Sequence, residues 1–182
     1  MKISPLSFFL SVFFLLICLM SCHVSSKHYE LNEDERIRLK ASIDSLYDID
    51  QKSRELLSRI TKKYTSSDEQ NKLLLKKNMA SFVGLMRLND SLNTLKLLEI
   101  TKKYGFPNHK RLGVYKSKAY LIFVHSPRYF FSDIEELIEF EYKNNRMSYY
   151  ERAYITWHIK GRLGSPPIAD EKGNLIKRKT IK

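Results

Sequence analysis

The sequence predicts an all-α fold, a single compact helical bundle-like domain behind an N-terminal export signal with a lipidation site. Three observations lead to this prediction. A short apolar leader ends at a cysteine, helix-capping patterns recur in the rest of the chain, and apolar residues there repeat at helical spacing. We expect a signal peptide over 1–21, a lipidated cysteine and linker over 22–31, a helical domain over 32–164 and a basic irregular tail over 165–182.

The leader is too short to cross a bilayer comfortably. Its apolar stretch, Leu6–Met20, is 15 residues long, whereas a spanning helix needs about 20. The segment Leu19-Met20-Ser21-Cys22 resembles the lipobox of bacterial lipoproteins, in which the cysteine receives a diacylglyceryl group and becomes the new N-terminus. Cys22 would then hold the chain at a membrane through its acyl chains. The alternative is a retained signal anchor with an unmodified cysteine.

The mature chain has no disulfide and an uneven charge. Cleavage before Cys22 removes Cys18, which leaves one cysteine. Residues 23–101 hold 14 Lys and Arg against 12 Asp and Glu, and residues 102–182 hold 17 against 8. The basic second half can meet anionic lipid headgroups or an envelope protein, whereas export argues against nucleic acid as the partner. The alternative is a solvated basic surface with no specific partner.

Helix starts are marked by a recurring pair, in which a side-chain acceptor is followed three positions later by glutamate or glutamine. The pairs are Asn32 with Glu35, Ser67 with Gln70, Ser132 with Glu135, and Ser148 with Glu151. Each pair can satisfy backbone donors that a helix start leaves without partners. Their repetition favours a largely helical fold.

The first helix is predicted over 32–64, where apolar residues recur every three or four positions. Asp50 and Ser53 interrupt this apolar seam, and Arg54 follows Asp50 by one helical turn. A buried carboxylate is costly unless it is paired. We therefore expect either an internal ion pair between Asp50 and Arg54 or a polar pocket at this point.

A second helical stretch is predicted from Asp68, and a new helix from Asp90, a good capping residue, to Lys103. Gly105 and Pro107 should end it, because glycine tolerates the positive φ of a helix end and proline cannot continue a helix. Two methionines of this stretch are expected to fill the core rather than to bind a ligand: Met79 and Met86.

The segment 115–126 contains an unbroken apolar run that fits either a central strand or a buried helix. No second strand is evident to pair with it, so we predict a buried helix that stops before Pro127. Two more helices are predicted over 132–144 and 148–160.

Several polar and turn residues follow one another in an order that resembles an uncharacterised bacterial domain family. They are Asp50-Gln51 with Arg54, Asp90 with Asn93, the turn Tyr104-Gly105-Phe106-Pro107, Gly113 and His125. The family has an Asp-Gln and Arg element, an Asp and Asn pair, a Tyr-Gly-Trp-Pro turn, a glycine and a Gln-His pair inside a helix. The resemblance spans residues 49–168 and implies that 115–126 is helical, but it implies no reaction.

This chain departs from the family pattern at several positions. Phe106 stands where the family has tryptophan, and Val124 where it has glutamine. The family's Asp-Arg pair corresponds to Trp157-His158, and its terminal Tyr-Gly-Thr-Gln element is reduced to Gly164-Ser165. The resemblance therefore implies a divergent member without catalysis.

His125 is the best candidate for chemistry, because it follows a buried run where the environment can shift a group that titrates near neutrality. Asp50 is a conceivable partner, and Arg54 completes a candidate polar cluster. The alternative for His125 is a packed, hydrogen-bonded core residue, and His109 is expected in a surface loop. The chain has no HExxH helix, cysteine ligand pair or close histidine cluster, so we expect no metal site and no cofactor.

Aromatic residues of the second half offer a second kind of site, a carbohydrate or peptide groove, since aromatic faces provide contact area at little rotamer cost. The group is Tyr129, Phe130, Phe131, Tyr149, Tyr150, Tyr154 and Trp157. The same residues, at helical spacing, also fit a packed core.

Two functions remain open. The first is a binding or scaffolding module without catalysis, lipid-anchored in the bacterial cell envelope and facing the periplasm or the cell surface. The second is a small envelope enzyme that uses His125 with Asp50 as acid and base. A concave site that joins His125, Asp50, Arg54 and the Tyr104–Pro107 turn would favour the enzyme.

Overall fold

The part of the chain that the structure describes consists of two long helices and several short ones. The computed structural model describes residues 30–170 and residue 176, so the signal peptide, the lipidation site at Cys22 and most of the tail lie outside the described residues. Residues 30–170 form helices and no strand, which confirms the all-α fold. None of the helices described is long and apolar enough to cross a membrane.

The helices are α1 Glu33–Thr65, α2 Glu69–Tyr104, α3 His109–Leu112, α4 Ala119–Val124, α5 Phe131–Lys143 and α6 Tyr149–Ile159, with a 3-10 turn at Arg128–Phe130. Helices α1 and α2 pack against each other as a hairpin joined by residues 66–68. All buried residues of the two lie at or before Asp50 in α1 and at or after Asp90 in α2. The short helices therefore cover the end of the hairpin that is remote from its turn.

Helix starts agree with the capping prediction at two positions and differ at two. Asn32 and Ser148 form capping boxes at the starts of α1 and α6. Helix α2 is capped by Asp68, whose carboxylate accepts a hydrogen bond from a backbone N–H, rather than by Ser67. Ser132 lies inside α5, because a 3-10 turn leads directly into that helix and takes the place of a side-chain cap.

The prediction of a helix start at Asp90 is wrong. Helix α2 runs through this residue without a break, because the Asp90 carboxylate accepts a hydrogen bond from Arg54 of α1 instead of from a backbone N–H of its own helix. The end of α2 is as predicted. Gly105 closes it with φ +78° and donates its N–H to the Thr101 carbonyl.

Helix α4 lies at the centre of the core, in contact with α1, α2 and α6. The prediction of a buried helix within 115–126 is confirmed, but the helix is shorter than predicted. It spans Ala119–Val124, where all residues but Leu121 are buried. Phe123 of this helix packs against Phe106 with ring centroids 6.2 Å apart. Helix α3, which Asn108 caps, occupies a segment that the sequence predicted as a loop containing His109.

Candidate functional site

The polar interruption of α1 forms one side of a cluster that three elements build together. Asp50 and Arg54 are one turn apart on α1, and Asp90 comes from the facing part of α2. His125 follows the last residue of α4 and reaches the same place. The structure thus brings together the three predicted cluster residues Asp50, Arg54 and His125, and it adds Asp90, which the sequence reasoning had assigned to a helix cap.

Arg54 is the centre of this cluster. Its Nη2 donates to Asp50 Oδ1 at 3.0 Å and to Asp90 Oδ1 at 2.9 Å. Its Nε lies 3.0 Å from His125 Nδ1, and its Nη1 lies 3.5 Å from the sulfur of Met86. One guanidinium therefore serves two carboxylates that are almost completely buried, which offsets the cost of removing both from water.

His125 makes two contacts at the same ring nitrogen. Its Nδ1 lies 2.9 Å from each carboxylate oxygen of Asp50 and 3.0 Å from Arg54 Nε. The carboxylate requires a proton on Nδ1, whereas the Arg54 N–H requires a lone pair there, so each ring tautomer satisfies one contact. None of the hydrogen bonds described involves the other ring nitrogen, Nε2, and the His125 side chain is 20% exposed.

The pKa values of the two carboxyl groups of the cluster, Asp50 and Asp90, shift in opposite directions. Burial disfavours the charged form of Asp50, but His125, followed by Arg54 and Gln51, outweighs burial and lowers the pKa of Asp50 below its ordinary value. Burial dominates at Asp90 and raises its pKa, although Arg54 opposes the effect. Neighbouring groups with pKa values driven apart are a property of acid–base sites, and also of structural ion-pair networks.

His158, at the end of α6, lies within electrostatic reach of the cluster. Burial lowers its pKa, and the positive charges of Arg162 and Arg54 lower it further. Its Nδ1 accepts a hydrogen bond from Arg162 Nε at 3.0 Å, and its ring packs edge-on against Phe131. Within the described part of the chain, no group of three His, Cys, Asp or Glu side chains could hold a metal ion.

The Tyr104–Pro107 turn is a separate structural junction. The Phe106 N–H donates to Glu141 Oε2 at 2.7 Å, and Arg146 pairs with both oxygens of the same buried carboxylate at 2.8 and 2.7 Å. None of the hydrogen bonds described for this turn reaches Asp50, Arg54 or His125. Gly113, which the resemblance also singled out, ends α3 with φ +64°.

A cleft of about 1140 Å³ lies apart from the polar cluster. Its walls are α3, the segment that follows it, the start of α6 and residues 167–170. Five tyrosines line it: Tyr115, Tyr120, Tyr149, Tyr150 and Tyr154. Lys110 and Lys116 are exposed lining residues. None of the cluster residues Asp50, Arg54 and His125 lines this cleft.

The aromatic residues for which the sequence left a groove or a packed core open divide between a cleft and the core. Tyr149, Tyr150 and Tyr154 line the cleft. Tyr150 and Tyr154 also pack edge-on against buried Tyr120, with ring centroids 5.6 Å away in each case. Phe130 is buried in the core, and Tyr129, which is 70% exposed, lies outside the cleft.

The sequence analysis did not indicate Asp90 and Met86 as contacts of Arg54, or His158 as a residue near the cluster. One signal was present, because Met86 and Asp90 on α2 repeat the one-turn spacing of Asp50 and Arg54 on the facing helix.

Comparison of the chain with protein-family models, curated proteins and solved structures finds no match.

Proposed function

We propose that this chain is a lipoprotein of the bacterial cell envelope whose helical domain binds an envelope partner without catalysis. The leader and Cys22 support export and lipid attachment. One observation carries the choice of binding over catalysis. The tyrosine-lined cleft is a concave site of about 1140 Å³, and none of the cluster residues Asp50, Arg54 and His125 lines it.

The chemistry of the cleft suits an acidic segment of a partner protein. Tyr115 is 85% exposed and Tyr149 is 50% exposed, so both rings can give up contact with water when a ligand binds. Tyrosine provides a large rigid contact surface together with a hydroxyl that can bond a peptide backbone. The lysines at positions 110 and 116 add positive charge that attracts acidic side chains.

A pull-down of the acylated protein from envelope extract tests this function. The double variant Tyr149→Ala with Lys116→Ala should lose the partner that the wild type retains. Tyr129→Ala should retain it, since this exposed tyrosine lies outside the cleft. Truncation after Gly164 should also lose the partner, because it removes the cleft wall formed by residues 167–170.

Two results would contradict this proposal. In the first, the cleft variants recover the same proteins in the same amounts as the wild type. In the second, the wild type recovers no protein from the extract but binds vesicles of anionic lipid, which would make the basic surface rather than the cleft the binding site. The form with Cys22→Ala should leave the membrane fraction and still bind the partner in solution.

A second candidate function is a small envelope enzyme, and one feature of His125 favours it. With a proton on Nδ1 donated to Asp50, the free Nε2 can accept a proton from a water or hydroxyl at the surface. Asp50 would then act as a positioning residue that fixes the ring tautomer. Nitrogen NMR of the ring distinguishes the forms. Protonation at Nδ1 supports this function, and protonation at Nε2, with Nδ1 accepting from Arg54, opposes it.

A further inference from the structure

Helix α2 has a second apolar face that is exposed. Five leucines form it, each between 47% and 61% exposed: Leu74, Leu85, Leu88, Leu92 and Leu95. We name this set the leucine stripe. Leucine side chains that remain half exposed leave apolar surface in water, and a helix that is apolar on two faces has surface for two packing partners.

The leucine stripe lies on the side of α2 that points away from α1. At about 100° per residue, its five members fall within an arc of about 80°. Met86 and Asp90, which contact Arg54 of α1, lie about 140° to 180° from the middle of that arc. The stripe is therefore not an extension of the contact between α1 and α2.

The spacing and charge of the stripe fit an identical helix. Its last four leucines are separated by three, four and three residues, which is the repeat of a coiled-coil seam. Between Lys77 and Lys96, no charged residue lies in the seam or directly beside it. Several residues at these positions are small or neutral: Asn78, Ser81, Gly84, Asn89 and Ser91. A chain of net charge +12 repels its own copy over most of its surface, but this strip carries no such charge.

The outer part of the hairpin also lacks a core of its own. Between residues 51 and 89, none of the described side chains is buried. Two helices that stand alone gain little stability, because most helical stability in proteins comes from tertiary packing. A further helix against the leucine stripe would supply such packing.

We propose that two copies of this chain associate through the leucine stripe. The same face of each copy meets its counterpart about a two-fold axis, so that leucines of one helix pack between those of the other. The stripe is about 30 Å long and a helix is about 10 Å wide, so two copies enclose roughly 600 Å² at the seam. Side chains that flank the seam add to this area, which fits a weak, reversible dimer.

Native mass spectrometry of the mature protein in mild detergent tests this contact. We expect the wild type to form a reversible dimer whose population rises with protein concentration. Leu88→Lys should raise the dimer dissociation constant at least about 100-fold. The reason is that the contact is two-fold symmetric, so both copies place a lysine in it. Leu73→Lys is the matched control, since Leu73 is 75% exposed on the same helix but lies outside the stripe. This variant should dimerise as the wild type does.

A monomeric wild type would overturn the proposal, and so would equal dissociation constants for the two variants. Equal dimerisation of both would assign any association to the acyl chains or to another surface. Both substitutions replace exposed side chains, so the far-UV circular dichroism of each variant should match that of the wild type. Partner binding in the tyrosine-lined cleft is measured separately and does not decide this result.

Discussion

The buried pair of Glu141 and Arg146 gives the sharpest stability prediction. Glu141 is 1% exposed and accepts three hydrogen bonds, one from the Phe106 N–H and two from Arg146. Glu141→Ala removes the partner of a buried guanidinium, a loss that costs about 3–5 kcal/mol in comparable sites. The Phe106 N–H also loses its acceptor, which costs about 1–3 kcal/mol when the donor stays buried.

These two costs share one carboxylate and are not fully additive, so we expect Glu141→Ala to lower the free energy of unfolding by about 4 kcal/mol. That is a large part of the roughly 5–15 kcal/mol that domains possess. The melting temperature should fall by about 8–16 °C, at about 2–4 °C per kcal/mol for a domain of this size. Urea unfolding followed by circular dichroism measures the change.

The double variant Glu141→Ala with Arg146→Met is the control for this reasoning. Replacing both members of a buried pair by apolar groups is often close to neutral, because no uncompensated charge remains. The double variant should therefore be more stable than Glu141→Ala alone. A cost below about 1 kcal/mol for the single variant, or a double variant that is less stable than the single one, would refute the assignment of this pair as the support of the Tyr104–Pro107 turn.

Three further predictions follow from the site and the backbone. Arg54→Met should lower stability by about 3–5 kcal/mol in urea unfolding, and Arg54→Lys by less, because only the methionine leaves the carboxylate of Asp50 without a cationic partner on its own helix; equal losses would contradict this. The pKa of His158 is lowered in the folded state, so the unfolded chain binds the proton more tightly, and the free energy of unfolding should fall as the pH drops below about 6.5. The change of this free energy with pH should be smaller in His158→Phe. An unchanged pH dependence in that variant would exclude His158 as its source. Gly105→Ala should lower the free energy of unfolding by more than about 1 kcal/mol, because φ is +78° and a Cβ would lie 2.9 Å from Arg146 Cδ. Gly84→Ala should raise it by about 1 kcal/mol, because a Cβ at this helical position would meet no atom within 4 Å. A change of the same sign for both variants would contradict the backbone argument.

Helix starts could be predicted where a local side chain decides them. Asn32 and Ser148 each reach a backbone N–H three residues on, and the paired glutamates complete the capping boxes. The same rule failed at Asp90, because the partner of that carboxylate is Arg54, which lies 36 residues earlier in the chain. A local pattern cannot distinguish a side chain that caps its own helix from one that pairs with a neighbouring helix.

The candidate site was predictable in part for a related reason. Asp50 and Arg54 interrupt an apolar seam within one helix, so a polar feature could be expected there before any tertiary contact was known. The sequence indicates His125 as a candidate because it follows a buried run, and it offers the contact with Asp50, 75 residues away, as one pairing among others. The choice of that pairing depends on how α4 packs between α1 and α2, which is a property of the whole core.

The cleft and the support of the Tyr104–Pro107 turn were not predictable from local patterns. Tyr115 lies in the segment after α3, a short helix that the sequence did not indicate, and Tyr149 lies at the start of α6. Glu141 appears in the sequence as one of several acidic residues that alternate with apolar ones on a helix. Glu141 is buried because it lies against the Tyr104–Pro107 turn, where its carboxylate accepts a hydrogen bond from the Phe106 N–H.

Intact-mass spectrometry of the protein recovered from bacterial membranes tests most directly whether this is a lipid-anchored binding module. We expect a polypeptide that begins at Cys22 and carries the added mass of acyl chains on that residue. A polypeptide that still begins at Met1, or one that begins at Cys22 without acyl mass, would contradict it.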